Sequence, residues 1–206
     1  MALVKYNNNS ISSVTAAAAM ASGAMTLIKS ITASSSSTIS FVDGTSDVVL
    51  DNTYPIYLFK FINIHPSATA KFQINFSADG GSNYNVTKTT TAVQIYHAEG
   101  DDADTGFGYS TGGDLAQGTG VAQIGQGAST GNDESLAGVL HLFDPSSTTF
   151  VKHFIADTVS TSDSYAYRRL HAGYGNTIIA IDAVQFSPST GNMDAGTIKL
   201  YGIKDS

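Results

Sequence analysis

Residues 71–76 read Lys-Phe-Gln-Ile-Asn-Phe, polar and apolar side chains alternating with a period of two. A helix would scatter these residues around its axis. A strand places Phe72, Ile74 and Phe76 on one face and the three polar residues on the other. The period recurs in residues 25–32, where Met25, Leu27, Lys29 and Ile31 share one phase, and in Thr38-Ile39-Ser40-Phe41. The run from Tyr57 to Ile64 is apolar on both phases, which suits a strand at the centre of a sheet. His65-Pro66 and Asp79-Gly80-Gly81 supply turn chemistry at the ends of these segments.

Further strands are expected at Val86–Thr90, Ala92–His97, Leu136–Phe143, Phe150–Ala156, Ser164–His171, Thr177–Phe186 and Thr197–Ile203. Many short strands with turns between them, and no helical period, predict an all-β fold. The expected form is an antiparallel β-sandwich, jelly-roll-like, with about ten strands. Gly191 to Ile203 reads as a turn feeding a last strand, so the chain is expected to end inside the sheet.

Two regions depart from this rhythm. Residues 1–24 are expected to form an N-terminal arm with a possible short helix, Ser12 or Ser13 capping the alanine run that ends near Gly23. Such a helix is marginal alone. The arm is therefore expected to dock on a neighbouring subunit, with Tyr6, Ile11 and Val14 as contacts. The alanine run lacks the leucine-rich core of a secretory signal and is not read as one. The β-sandwich domain is assigned to residues 25–206, with a long Gly-rich loop at 98–134. A loop of this length on a rigid sandwich is a place for binding, and Phe107 and Tyr109 are its expected exposed contacts.

A net charge of −7 with only ten basic residues gives no clustered cations for phosphate, so neither nucleic acid nor an anionic membrane is an expected partner. Arg168-Arg169, the sole adjacent basic pair, is read as an edge-strand or salt-bridging pair. The absence of cysteine removes disulfides, thiolate metal sites and cysteine nucleophiles.

Chemical motifs fail on context. Gly108-Tyr109-Ser110-Thr111-Gly112 matches the serine-hydrolase elbow, but no helix signal follows the serine. His97-Ala98-Glu99 has no cysteine pair to complete a zinc deaminase site. The acidic residues Asp101, Asp102 and Asp104 do not follow EF-hand spacing; a calcium loop of another type stays open beside the plainer reading of a solvated loop. His65, His97, His141, His153 and His171 show no metal spacing, although His141 and His153 are candidates for neighbours on adjacent strands. A glycan would need aromatic plates, for which Tyr165, Tyr167, Tyr174, Phe107 and Tyr109 are available; Tyr165 and Tyr167 share a strand face that serves equally as core or subunit contact. No cofactor and no enzymatic activity are expected.

Several segments together resemble small virion structural proteins of tailed bacteriophages, of the marine and cyanobacterial phage type. They are residues 25–34 (MTLIKSITAS), 57–66 (YLFKFINIHP), 140–147 (LHLFDPSS), 150–154 (FVKHF), 181–186 (IDAVQF) and 196–203 (GTIKLYGI). The resemblance implies a non-enzymatic role on the particle, in symmetric copies, with the chain itself and other virion proteins as partners. Localisation would be the virion, assembled in the host cytoplasm. A capsid decoration or head-fibre component is the expected role, and a tail or tail-fibre module contacting host glycans is the alternative.

Overall fold

The fold is given by a computed structural model that describes residues 24–100 and 104–204. Twelve strands and no helix are found among the described residues: β1 (Met25–Thr32), β2 (Ile39–Val42), β3 (Ile56–Pro66), β4 (Ala70–Ser77), β5 (Lys88–Ala98), β6 (Thr105–Tyr109), β7 (Ala122–Ala128), β8 (Leu136–Phe143), β9 (Lys152–Ser162), β10 (Tyr165–Gly175), β11 (Ala183–Pro188) and β12 (Met193–Ile203). The arm, with Tyr6, Ile11 and Val14, lies outside the described residues.

All strand pairings are antiparallel, and they build two sheets ordered β1-β12-β3-β8-β9-β10-β5-β6 and β2-β11-β4-β7. Setting aside β5, β6, β9 and β10 leaves a nested pattern. The first strand pairs with the last, the last with β3, and β3 with β8; in the second sheet β2 pairs with β11, β11 with β4, and β4 with β7. This is the double Greek key of a jelly roll. The four remaining strands form two hairpins, β5–β6 and β9–β10, which widen the larger sheet, with β7 of the smaller sheet packed over β9 and β10.

The sequence reading is corrected in places. Residues 98–134 are not one loop. They contain β6, which extends the larger sheet, and β7, which edges the smaller one. Val86–Thr90 and Ala92–His97 are largely one strand, β5. The expected strand from Thr177 begins only at Ala183; before it the chain bends, leaving Ile178 and Ile179 exposed. Phe72, Ile74 and Phe76 are buried as expected, but Asn75 does not face solvent. It is buried, its side-chain amide donating to the Tyr84 carbonyl at 2.6 Å.

The last strand begins earlier than expected, at Met193, and bulges twice against β3 before running straight to Ile203. Gly196 permits this with φ of +108°, since a Cβ there would lie 2.5 Å from the Asn63 carbonyl oxygen.

Five phenylalanines pin the two jelly-roll sheets together. The ring of Phe186 on β11 lies 5.2 Å from Phe59, 5.1 Å from Phe61, 5.7 Å from Phe72 and 6.3 Å from Phe41, all edge-on except the stacked Phe72. Phe186 is fully buried at the meeting point of β2, β3 and β4. Truncation to alanine leaves a cavity bounded by four rings that cannot all collapse into it. Phe186→Ala is expected to cost about 3–5 kcal/mol, read as a lowered denaturation midpoint, with Phe186→Leu closer to wild type.

Candidate interaction surface

The two inserted hairpins have unusual faces. Strands in a half-buried sheet normally turn apolar residues inward. In β9 the inward phase is Phe154, Ala156, Thr158, Ser160 and Ser162, and the outward phase holds Ile155 (51% exposed) and Val159 (49%). Cross-strand register carries this apolar outer surface across the hairpins. Val159 is opposite Arg168, Arg168 opposite Ile95, and Ile95 opposite Phe107, which is 76% exposed. One row along run Asp157, Leu170, Val93 and Tyr109. A third row crosses most of the sheet, from Leu27 through Tyr201, Leu58, His141 and Ile155 to Ala172 and Thr91.

Charge on this face is sparse and largely answered. Arg168 makes a bidentate pair with Asp157, at 2.9 Å from Nε and 2.7 Å from Nη2. Lys60 sits with its ammonium 5.0 Å from the centre of the Tyr201 ring. An extended apolar face of this kind on a folded sheet makes it the candidate interaction surface.

The opposite, inward side of the same hairpins is polar. Thr158 donates to the Ile124 carbonyl at 2.8 Å and Ser160 to the Gln126 carbonyl at 3.2 Å, so hydroxyls of β9 bind the main chain of β7. Arg169 is 2% exposed. Its Nη1 donates to the Gln123 carbonyl at 3.0 Å, and its Nη2 donates to the side chains of Ser110, Gln94 and Gln126 at 2.8–3.0 Å. Lys88 is equally buried, donating to Asn75 Oδ1 at 2.5 Å and the Val86 carbonyl at 2.6 Å; buried Lys152 donates to the Thr177 carbonyl at 3.0 Å. None of these three cations belongs to an ion pair among the described residues. Their hydrogen bonds go to neutral oxygens, with the Phe76 ring 5.9 Å from the Lys88 ammonium and the Asp144 charge acting on Lys152 from farther off.

Positions singled out in the sequence fall as follows. Phe107 and Tyr109 are exposed, but they stand on strand β6, not on a loop, and the Tyr109 hydroxyl donates to Asp114 at 2.7 Å. Ser110 follows β6 directly and turns inward to accept from Arg169. A turn at 111–113 follows it instead of the helix that an elbow requires. Arg168 is salt-bridging as expected, whereas Arg169 is buried in an interior strand and not at an edge. His141 and His153 lie on neighbouring strands, each beside an aromatic ring, Phe143 and Tyr174 respectively.

Asp101 and Asp102 are outside the described residues. Asp104 accepts from the Tyr165 hydroxyl at 2.6 Å. Among the described residues no cluster of three His, Asp or Glu side chains is arranged to hold a metal. Tyr165 and Tyr167 do share a face, and Tyr96 joins them with ring centres 5.7–6.0 Å apart. Val159, Ile155, Leu170 and Ile95 were not picked out from sequence, because their apolar phase looks like a core phase.

No protein-family model matches the chain, and no curated protein and no solved structure matches it.

The buried seam makes stability depend on pH in two windows. Burial first, and then the Arg169 guanidinium, push His171 down to about 4, with Asp114 and the Gln123 backbone pulling weakly the other way. Between pH 6.5 and 4 the unfolded chain therefore takes up a proton that the folded chain refuses, and stability falls, by about 3 kcal/mol in all. His171→Phe, which keeps the stacking on Phe154, is expected to lose that part of the acid slope in denaturation curves taken from pH 7 to 4.

Burial likewise pushes Lys88 down to about 8. From pH 8 to 10 the folded chain has released a proton that the unfolded chain still holds, so stability rises there. Lys88→Met is expected to show a smaller rise over the same range, the remainder coming from Lys152, which burial also pushes down against the pull of Asp144.

Proposed function

We propose that this chain is a non-enzymatic structural protein of a tailed-bacteriophage particle, present in symmetric copies as a decoration or head-fibre component on the capsid exterior. The observation that carries the reading is the exposed apolar face built by the two hairpins added to a jelly roll. A subunit that functions by being assembled needs a rigid body and a surface that is incomplete in isolation, and the hairpins supply the second without disturbing the first. The segments that resemble virion proteins support the reading further, because they lie mostly on strands of the jelly roll itself, β1, β3, β8, β11 and β12. Its partners are then other copies of itself and other virion proteins, and its place is the virion, assembled in the host cytoplasm.

A second reading, a tail module that contacts host glycans, is favoured by the Tyr96, Tyr165 and Tyr167 rings, which lie half-exposed in the same sheet as Gln94. Clustered tyrosine rings in a sheet that also carries an amide offer the apolar plate and hydrogen-bonding group that a sugar ring requires.

Reconstruction of purified particles, with a peptide inventory by mass spectrometry, tests the proposal. The chain is expected in the particle, with density outside the shell that repeats with the shell symmetry. Absence of its peptides from purified particles overturns the proposal. Density at the tail, with binding on a glycan array that Tyr167→Ala abolishes, replaces the head assignment with the second reading.

A further inference from the structure

We propose that the outer face of the eight-stranded sheet is a self-association surface, on which a second copy of this chain packs sheet against sheet. The inference rests on the reading of this chain as an assembled subunit, and it names what covers the apolar face.

Three observations select a second copy as the occupant. The first is chemical. The rows through Phe107, Ile95 and Val159, and through Leu170 and Ile155, leave large apolar side chains in water on the outer side of β6, β5, β10 and β9. Their burial is a net gain only against another apolar surface.

The second is electrostatic. The chain has 17 acidic and 10 basic residues, and two copies meeting on an acidic side would repel. On the outward rows the carboxylate is Asp157, already neutralised by Arg168, and at the edge the Asp114 carboxylate accepts from the Tyr109 hydroxyl. Two copies can therefore meet on this face without bringing their surplus negative charge together. The few cations beside it, Lys60 and Lys199, leave little for a polyanion to bind.

The third is size. Eight strands spaced at about 4.8 Å span roughly 38 Å, and the outward rows run roughly 22 Å along the strands, a face on the order of 800 Å². That is the area per partner, about 800 Å², of a specific stable interface. A two-fold axis lying in the plane between the sheets makes the same surface serve both copies, and stacked sheets pack about 10 Å apart.

Sedimentation of the full chain tests this. A single chain is 21.4 kDa, and the wild type is expected to sediment at twice that mass at micromolar concentration. Val159→Glu and, separately, Ile155→Glu place a carboxylate in the centre of the contact. Each is expected to weaken association at least ~100-fold. Both positions are about half exposed, so the circular-dichroism spectrum should stay that of the wild type, with melting lowered only by the stabilisation that association supplied. Ile178→Glu, exposed on the bend before β11 and away from the face, is expected to leave the dimer intact.

A wild type that sediments as a single chain at 100 µM sinks the inference. So does a dimer that survives both glutamate variants. A monomeric chain that is nevertheless found in purified particles overturns this inference while sparing the virion assignment. A dimer broken by Val159→Glu, in a chain absent from particles, does the reverse.

Discussion

Strands β1 and β3 each lack a neighbour on one side until β12 lies down between them. The pairings Leu27–Tyr201 and Tyr201–Leu58 show how directly the last strand bridges the second fragment of sheet to the first. Because the contact joins positions near opposite ends of the chain, its loop-closure entropy must be met before the bridging hydrogen bonds form. The nested pairings inside it, β2 with β11 and β4 with both β11 and β7, follow the same logic on a shorter scale. Gly196 matters for the same reason: it lets β12 bulge past Asn63 and still keep register to its end.

The interior of the sandwich is divided between two kinds of chemistry. Over β3, β4 and β11 it is aromatic and dry, and cohesion scales with buried area. Over β9, β10 and β5 it is made of hydroxyls, amides and cations bound to main-chain oxygens. A buried cation without a carboxylate in contact is costly, and the structure offsets the cost with oxygen acceptors, four for Arg169, two for Lys88 and one for Lys152. Arg169 uses a guanidinium to reach two strands and a turn at once, which a lysine could not do. These hydrogen bonds are directional where the phenylalanine contacts are not. They fix where β7 lies over the inserted hairpins.

Sequence and structure agree where the strand pattern is unambiguous. Phe72, Ile74 and Phe76 announce both strand and facing, and the limits of β1 and β8 can be read directly. Agreement fails where polar residues fill the interior. In β9 and β10 the inward phase holds Thr158, Ser160, Arg169 and His171, so alternation shows a strand but points its faces the wrong way. β6 and β7 were hidden because glycines occupy Gly106, Gly108, Gly125 and Gly127, and strands that glycine-rich read as loop. The apolar outer surface was hidden for a related reason. Phe107 and Tyr109 stood out as aromatics in a polar stretch, but Ile95, Ile155, Val159 and Leu170 look like core until register places them together. Buried Asn75 and Lys88 give no local signal, since their pairing needs β4 and the start of β5 to meet.

The two hairpins are attached in series. Among the described strands β6 pairs with β5 alone, β5 on its other flank with β10, β10 with β9, and β9 with β8, while β7 of the body also binds β9 and β10 through Thr158, Ser160 and Arg169. Each strand therefore borrows its order from the one before it, and the outermost has the least to lose by detaching. Opening should proceed from β6 inward like a zip, with amide protection graded along it, while the eight-strand body stays closed. An appendage built this way can be loosened, replaced or lengthened in the course of evolution without refolding the body that carries it.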